Sequence, residues 1–176
     1  MEPEAWRNAL VERGEPLEIF PLKITRGLVQ LSFLGIPNRP GLTRPLFDLL
    51  ERQGVAVKLL LEGCRGQSSS DLLLCITGEA FTRLRKELDE IRVRLQLREF
   101  VVREPVAVIR MLGPHFDLRP GTSAMLFTAL MRAGVRIYSN ATTITASTCV
   151  IPDEQVETAE RAIGTTFLLP GGGRRT

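Results

Sequence analysis

The strongest constraint on this chain is that it says nearly the same thing twice. Leu34-Gly35-Ile36-Pro37-Asn38-Arg39-Pro40-Gly41 is answered by Leu112-Gly113-Pro114-His115-Phe116-Asp117-Leu118-Arg119-Pro120-Gly121. From the Pro-Gly onward the register holds at 80 positions: Phe47 matches Phe127, Leu50 matches Leu130, Gly54 matches Gly134, and Val57 matches Ile137. Self-similarity over such a length means that one supersecondary unit is encoded in tandem. The 176 residues therefore divide into two units, each of about 75 residues and each large enough to hold a small core.

Hydrophobic periodicity sets the order of elements in each unit. Leu28 to Leu34 reads as a strand, Gly35 to Gly41 as a turn, and Leu42 to Arg52 as a helix. Leu42, Leu46, Leu49 and Leu50 share one helical face, and Gly54 is a natural stop. Pro45 falls in the first turn, where its missing N–H costs little. Val55 to Leu61 and Leu72 to Thr77 read as strands around a Gly/Ser-rich loop, and Glu79 to Glu90 as a helix with Phe81, Leu84 and Leu88 inward. Ile91, Val93, Leu95 and Leu97 alternate with Arg92, Arg94, Gln96 and Arg98, the pattern of a half-exposed strand. The second unit repeats this with strands at Val106 to Leu112, Val135 to Ser139 and Ile144 to Ile151, and helices at Thr122 to Arg132 and from Pro152. Its second helix turns Val156, Ala159 and Ile163 inward, and Thr166 to Leu169 can add a short last strand.

Each unit is thus β-α-β-β-α-β. The expected fold class is α+β: two ferredoxin-like units, with antiparallel sheets and helices on one face. Residues 27–102 form the first unit and 103–169 the second, with residues 17–24 placed to complete the second sheet. Residues 1–16 read as an arm and 170–176 as a disordered tail. The other face of each sheet and its edge strands are places for a neighbour to dock, and a tandem suggests that they are used.

Composition removes several classes of function. Cys64, Cys75 and Cys149 are odd in number and lack CxxC spacing, so neither a disulfide framework nor a zinc site is expected. No apolar run approaches the about 20 residues of a membrane helix, and the N-terminus has no signal-peptide pattern, so a cytoplasmic protein is expected. His115 is the single histidine, in a turn, and no Walker loop, HExxH or GxSxG occurs. An enzyme, a metal and a cofactor are accordingly not expected. The excess of arginines between Arg83 and Arg103 is interleaved with Glu87, Asp89, Glu90 and Glu99, as on a solvated face. A ferredoxin-like sheet that binds RNA needs stacking aromatics on its central strands. One Tyr and one Trp in the chain make that reading the weakest, and no nucleic-acid partner is expected.

The strand ending in Leu-Gly-Ile-Pro-Asn-Arg-Pro-Gly, followed by Leu-Phe-Asp-Leu-Leu-Glu-Arg-Gln-Gly-Val-Ala-Val, resembles the ACT domain. The second half agrees through Arg119-Pro120-Gly121, Met125-Leu126-Phe127, Gly134-Val135-Arg136-Ile137 and Phe167-Leu168-Leu169. More closely, the tandem is similar to the paired ACT domains at the C-terminus of aspartate kinases. That resemblance implies a non-catalytic module binding a free amino acid, lysine or threonine by class, at an interface between ACT units and regulating a partner enzyme. It also implies a homodimer. With no kinase domain ahead of the pair, a free-standing regulatory module or subunit is expected. Carried over by position, Ile36, Asn38, Pro40, Gly41 and Leu42 form the ligand loop of the first unit. His115, Asp117, Arg119, Gly121 and Thr122 form that of the second.

Elementary chemistry agrees with these positions. A helix N-terminus offers unpaired N–H groups and partial positive charge to a carboxylate. Gly41 admits close backbone approach, and the Asn38 amide both donates and accepts. The chain departs from the family pattern at Lys58 and Glu62, around the end of the second strand, and at Thr142-Thr143, where the family carries Ser-Glu. Glu62 and Thr143 complete the candidate site residues. The alternative at this stage is a structural dimerisation module with no ligand.

Overall fold

The computed structural model describes residues 17–18, 22–113 and 121–168. They form eight strands and four helices in chain order. The strands are β1 (Leu17–Glu18), β2 (Leu22–Pro37), β3 (Leu59–Arg65), β4 (Ser69–Thr77), β5 (Glu99–Leu112), β6 (Ser139–Thr142), β7 (Ala146–Pro152) and β8 (Phe167–Leu168). The helices are α1 (Arg44–Arg52), α2 (Gly78–Arg94), α3 (Thr122–Arg132) and α4 (Val156–Thr166), the last preceded by a 3₁₀ turn, Asp153–Gln155. Two compact units result, Arg26–Val106 and a discontinuous one made of Met1–Thr25 with Ala107–Thr176.

In the first unit the strand order is β3-β4-β2-β5, the ferredoxin-like arrangement. β4 pairs antiparallel with β2 (Leu31 opposite Leu74, Phe33 opposite Leu72) and with β3 (Leu60 opposite Leu74, Glu62 opposite Leu72). Val29, Leu31, Phe33, Leu72, Leu74 and Ile76 point from the sheet onto Leu46, Leu49 and Leu50 of α1 and onto the inner stripe of α2. That stripe is Phe81, Leu84, Leu88 and Ile91, continued by Leu95 just past the helix end. In the second unit Ala107, Ile109 and Met111 of β5 and Cys149 and Ile151 of β7 meet Leu126 and Leu130 of α3 and Val156, Ala159 and Ile163 of α4. Leu22 and Ile24, at the start of β2, pack on this second core, and β1 pairs in parallel with β8 (Leu17 opposite Phe167).

Two sequence expectations are corrected. The alternation at Ile91–Arg98 is no strand: α2 continues to Arg94, Gln96 ends it at φ +50°, and β5 begins only at Glu99. The second strands start later than expected, at Leu59 and Ser139, because an extended connection follows α1 and α3 before pairing begins. Residues on the second face of the sheet are buried as well. Leu28, Gln30, Ser32 and Cys75 are buried in the first unit, and Val108, Thr148 and Val150 in the second. These stretches of strand carry apolar or uncharged residues on both faces, which is the pattern of a strand covered on both sides.

The start of α2 is fixed by Thr77, extended at φ −70° and ψ 151°, whose Oγ1 accepts the Ala80 N–H at 3.3 Å. Glu79 adds a negative charge in the first turn. Thr77→Ala should cost about 1 kcal/mol, read as a lower urea midpoint at unchanged slope. An unchanged midpoint would show that the cap contributes nothing.

Candidate functional site

The first candidate loop hangs from the end of β2. The β2–β4 register shifts between Phe33 and Ile36, and Gly35 takes φ +69° there. The Gly35 N–H donates to Asp71 Oδ1 at 2.7 Å, which commits that carboxylate to the backbone. Ile36 then pairs with Ser70 and Pro37 with Ser69. The chain folds back through short bonds: Asn38 N–H to the Ser68 carbonyl (2.9 Å), Leu42 N–H to Arg39 (3.2 Å) and Arg44 N–H to Gly41 (3.2 Å). Gly41 makes the turn at φ +77°, a region costly for any residue with a Cβ.

These bonds sort the predicted residues. The Ile36 side chain is 1% exposed in the core and Leu42 is half-buried against it, so both anchor the loop. Asn38, Pro40 and Gly41 are exposed. The helix they lead into, α1, has Thr43 at its N-cap with no side-chain cap bond, and no acidic residue in its first turn. Among the described residues no acceptor meets the N–H of Gly41 or of Thr43. The positive end of this helix is therefore left unneutralised by its own sequence, which suits a carboxylate.

Glu62 stands apart from the loop. Arg65 is opposite Ser69, which is opposite Pro37, so Arg65 marks the row on which β2 ends. Glu62 lies three residues back along β3, about 10 Å at the rise of a strand, exposed in the middle of an edge strand.

In the second unit, His115, Asp117 and Arg119 lie outside the described residues. Gly121 is the left-handed N-cap of α3 at φ 94°, and Thr122 beside it is buried. The Thr143 N–H donates to the Ala146 carbonyl (2.8 Å), and its hydroxyl accepts the Ala146 N–H (3.1 Å). Thr143 thus closes its own hairpin. Its neighbour Thr142, not among the predicted residues, shares hydroxyl hydrogen bonds with Ser123 (3.1 Å) and with the buried Ser147 (3.2 Å). This hydroxyl chain ties the first turn of α3 to the β6–β7 hairpin. Its members lie far apart in sequence, so only the hairpin spacing of Thr142 and Ser147 hints at it.

Burial pushes the Cys75 and Cys149 thiols up to about 12. At neutral pH both stay protonated, and a protonated thiol is neither a nucleophile nor a metal ligand. Among the described residues no group of His, Cys, Asp and Glu is gathered to hold a metal ion. No helix among them is long and apolar enough to cross a membrane.

No family model matches the chain. It is 29% identical over 146 residues to an aspartokinase of Thermus thermophilus, covering 80% of this chain and 35% of that protein. The chain spans about a third of the length of this curated relative. Its fold is similar to the regulatory subunit of aspartate kinase from Thermus thermophilus in its ligand-free form (TM-score 0.74, 23% identity, 85% of this chain and 99% of that one). It is also similar to E. coli aspartokinase III in complex with lysine and aspartate (TM-score 0.62, 17% identity, 87% of this chain and 34% of that one). In sequence the chain is thus similar to aspartokinases, and its two β-α-β-β-α-β units have the fold of an aspartate-kinase regulatory subunit of the ACT type.

Proposed function

We propose that this chain is a non-catalytic regulatory module that binds a small free amino acid and controls a partner enzyme of amino-acid metabolism in the cytoplasm, working as a homodimer. The observation that carries the reading is the loop from Ile36 to Leu42. It delivers an uncapped, acid-free helix start to the surface beside a glycine at φ +77°. A free amino acid always brings an α-carboxylate, and a helix N-terminus is a ready anion site. The similarity to a solved regulatory subunit over 99% of that subunit's length supports the regulatory role. Lysine or threonine remains the class to try first. Control would follow from differential affinity: a ligand that prefers one arrangement of the molecule shifts its population.

A thermal-melting screen of the chain against the twenty amino acids tests this. One of them should stabilise the fold by RT ln(1 + [L]/Kd), about 2.7 kcal/mol at a hundredfold Kd. A flat screen would leave a pairing module that binds no amino acid.

A further inference from the structure

A second cleft lies in the first unit, at the C-terminal end of α2. Between the last turn of α2, the turn after it and the start of β5 is an open cleft of about 780 Å³, lined by Arg92, Val93, Leu97, Arg98 and Phe100 with Asp89 and Glu99 at the sides. Its walls are held in place by several independent contacts. The Phe100 ring packs on Phe33 of the core, with centroids 4.9 Å apart, and carries the Arg92 guanidinium at 5.0 Å from its centroid. Asp89 pairs with one terminal nitrogen of Arg92 at 3.2 Å, and a guanidinium has further N–H donors to offer. The Arg98 N–H donates to the Leu34 carbonyl at 2.9 Å. A Cβ on Gly35 would come within 2.9 Å of the Arg98 Cβ, so glycine there lets this segment lie flat on β2.

Among the described residues the Arg98 guanidinium has no ion-pair or hydrogen-bond partner. Between the two arginines Val93 stands 78% exposed, the most exposed of the large apolar side chains described. The planar Arg98 guanidinium can meet a carboxylate at two points, and Val93 with the half-buried Leu97 and Phe100 gives the same cleft an apolar lining. The acids Asp89 and Glu99 balance the two arginines, which disfavours a polyanion such as a nucleic-acid strand. The cleft is open and in the upper range of small-ligand pockets, so a lone amino acid would leave most of it wet.

We propose that this cleft docks a peptide segment of a partner protein that presents one carboxylate side chain flanked by apolar ones. The test is amide NMR of the whole chain titrated with Ac-Leu-Glu-Leu-NH2, Ac-Leu-Gln-Leu-NH2 and free glutamate. Saturable shifts in residues 92–100 are expected from the Glu peptide, weakened about tenfold by Arg98→Gln through loss of a charge-assisted bond. Arg92→Lys should also weaken it, because a lysine keeps the charge but not the planar stack. No shift at about 10 mM peptide, below any useful affinity, would overturn the proposal. So would equal shifts from the Gln peptide, equal binding by free glutamate, or indifference to Arg98→Gln. The readout is local to residues 92–100, so its failure is distinguishable from a flat amino-acid melting screen.

Discussion

Leu95→Ala should destabilise the chain by about 2–5 kcal/mol, while Val93→Ala should move stability by no more than about 0.5 kcal/mol. Two residues separate them, and the difference follows from which period governs the segment. Phe81, Leu84, Leu88, Ile91 and Leu95 are spaced three and four apart, one stripe of a helix and its C-cap, and all of them lie in the core of the first unit. Leu95 is 0% exposed, and truncating it leaves a cavity in the core of the first unit. Val93 is off the stripe and in water, where alanine even raises helix propensity. On the strand reading, Ile91, Val93, Leu95 and Leu97 would share one buried face and the two truncations would cost alike. Urea unfolding with matched slopes decides between them: equal losses would reject the helix through Arg94.

That segment shows where the sequence was legible and where it was not. Over four or five residues, periods of 2 and 3.6 both place apolar residues at i and i+4, and arginines at Arg92, Arg94 and Arg98 made the alternation look complete. Only the longer stripe from Phe81 decides it. α3, by contrast, was readable end to end, because Gly121 at φ 94° and Gly134 at φ +73° bracket it and neither position suits a residue with a Cβ. The burial of the sheet's second face is also written in the chain. Leu28 to Leu34 and Leu72 to Thr77 contain no charge, which a strand with one wet face would carry.

The site was legible in the same uneven way. The loop at Gly41 was found from Pro-Gly chemistry, which is local. In a strand over 55–61 Glu62 flanks the strand end, and once pairing begins at Leu59 it is a mid-strand residue instead. The sequence points to Thr143 by its place after a strand, but the tertiary contact belongs to Thr142, one position earlier on the hairpin. A shift of one residue turns a strand side chain to the opposite face, and nothing local to Thr142-Thr143 sets that choice.

Gly41→Asn should abolish the amino-acid-induced rise in melting temperature while leaving the ligand-free melting temperature almost where it was. Gly41 sits at φ +77°, and an added Cβ meets no atom of the chain within 4 Å. Space therefore does not demand glycine at this position; backbone conformation and the approach of a ligand do. Asparagine tolerates the left-handed region better than most side chains, so its cost to the fold should fall at the low end of the range, about 1 kcal/mol. Its side chain would nonetheless stand beside the Gly41 and Thr43 N–H groups that this turn leaves for a carboxylate, and would occupy their approach. Gly41→Val adds the same obstruction and a strained β-branched residue, so it should lose the ligand response and also about 1–3 kcal/mol of intrinsic stability. At a ligand concentration a hundredfold above Kd, the response at stake is about 2.7 kcal/mol, large enough to read in a melting curve. The pair separates two roles for this glycine. If Gly41→Asn keeps the full ligand shift, the carboxylate is bound elsewhere and Gly41 serves the turn alone. If it loses the shift at an unchanged ligand-free melting temperature, the open space above Gly41 is the space the ligand uses.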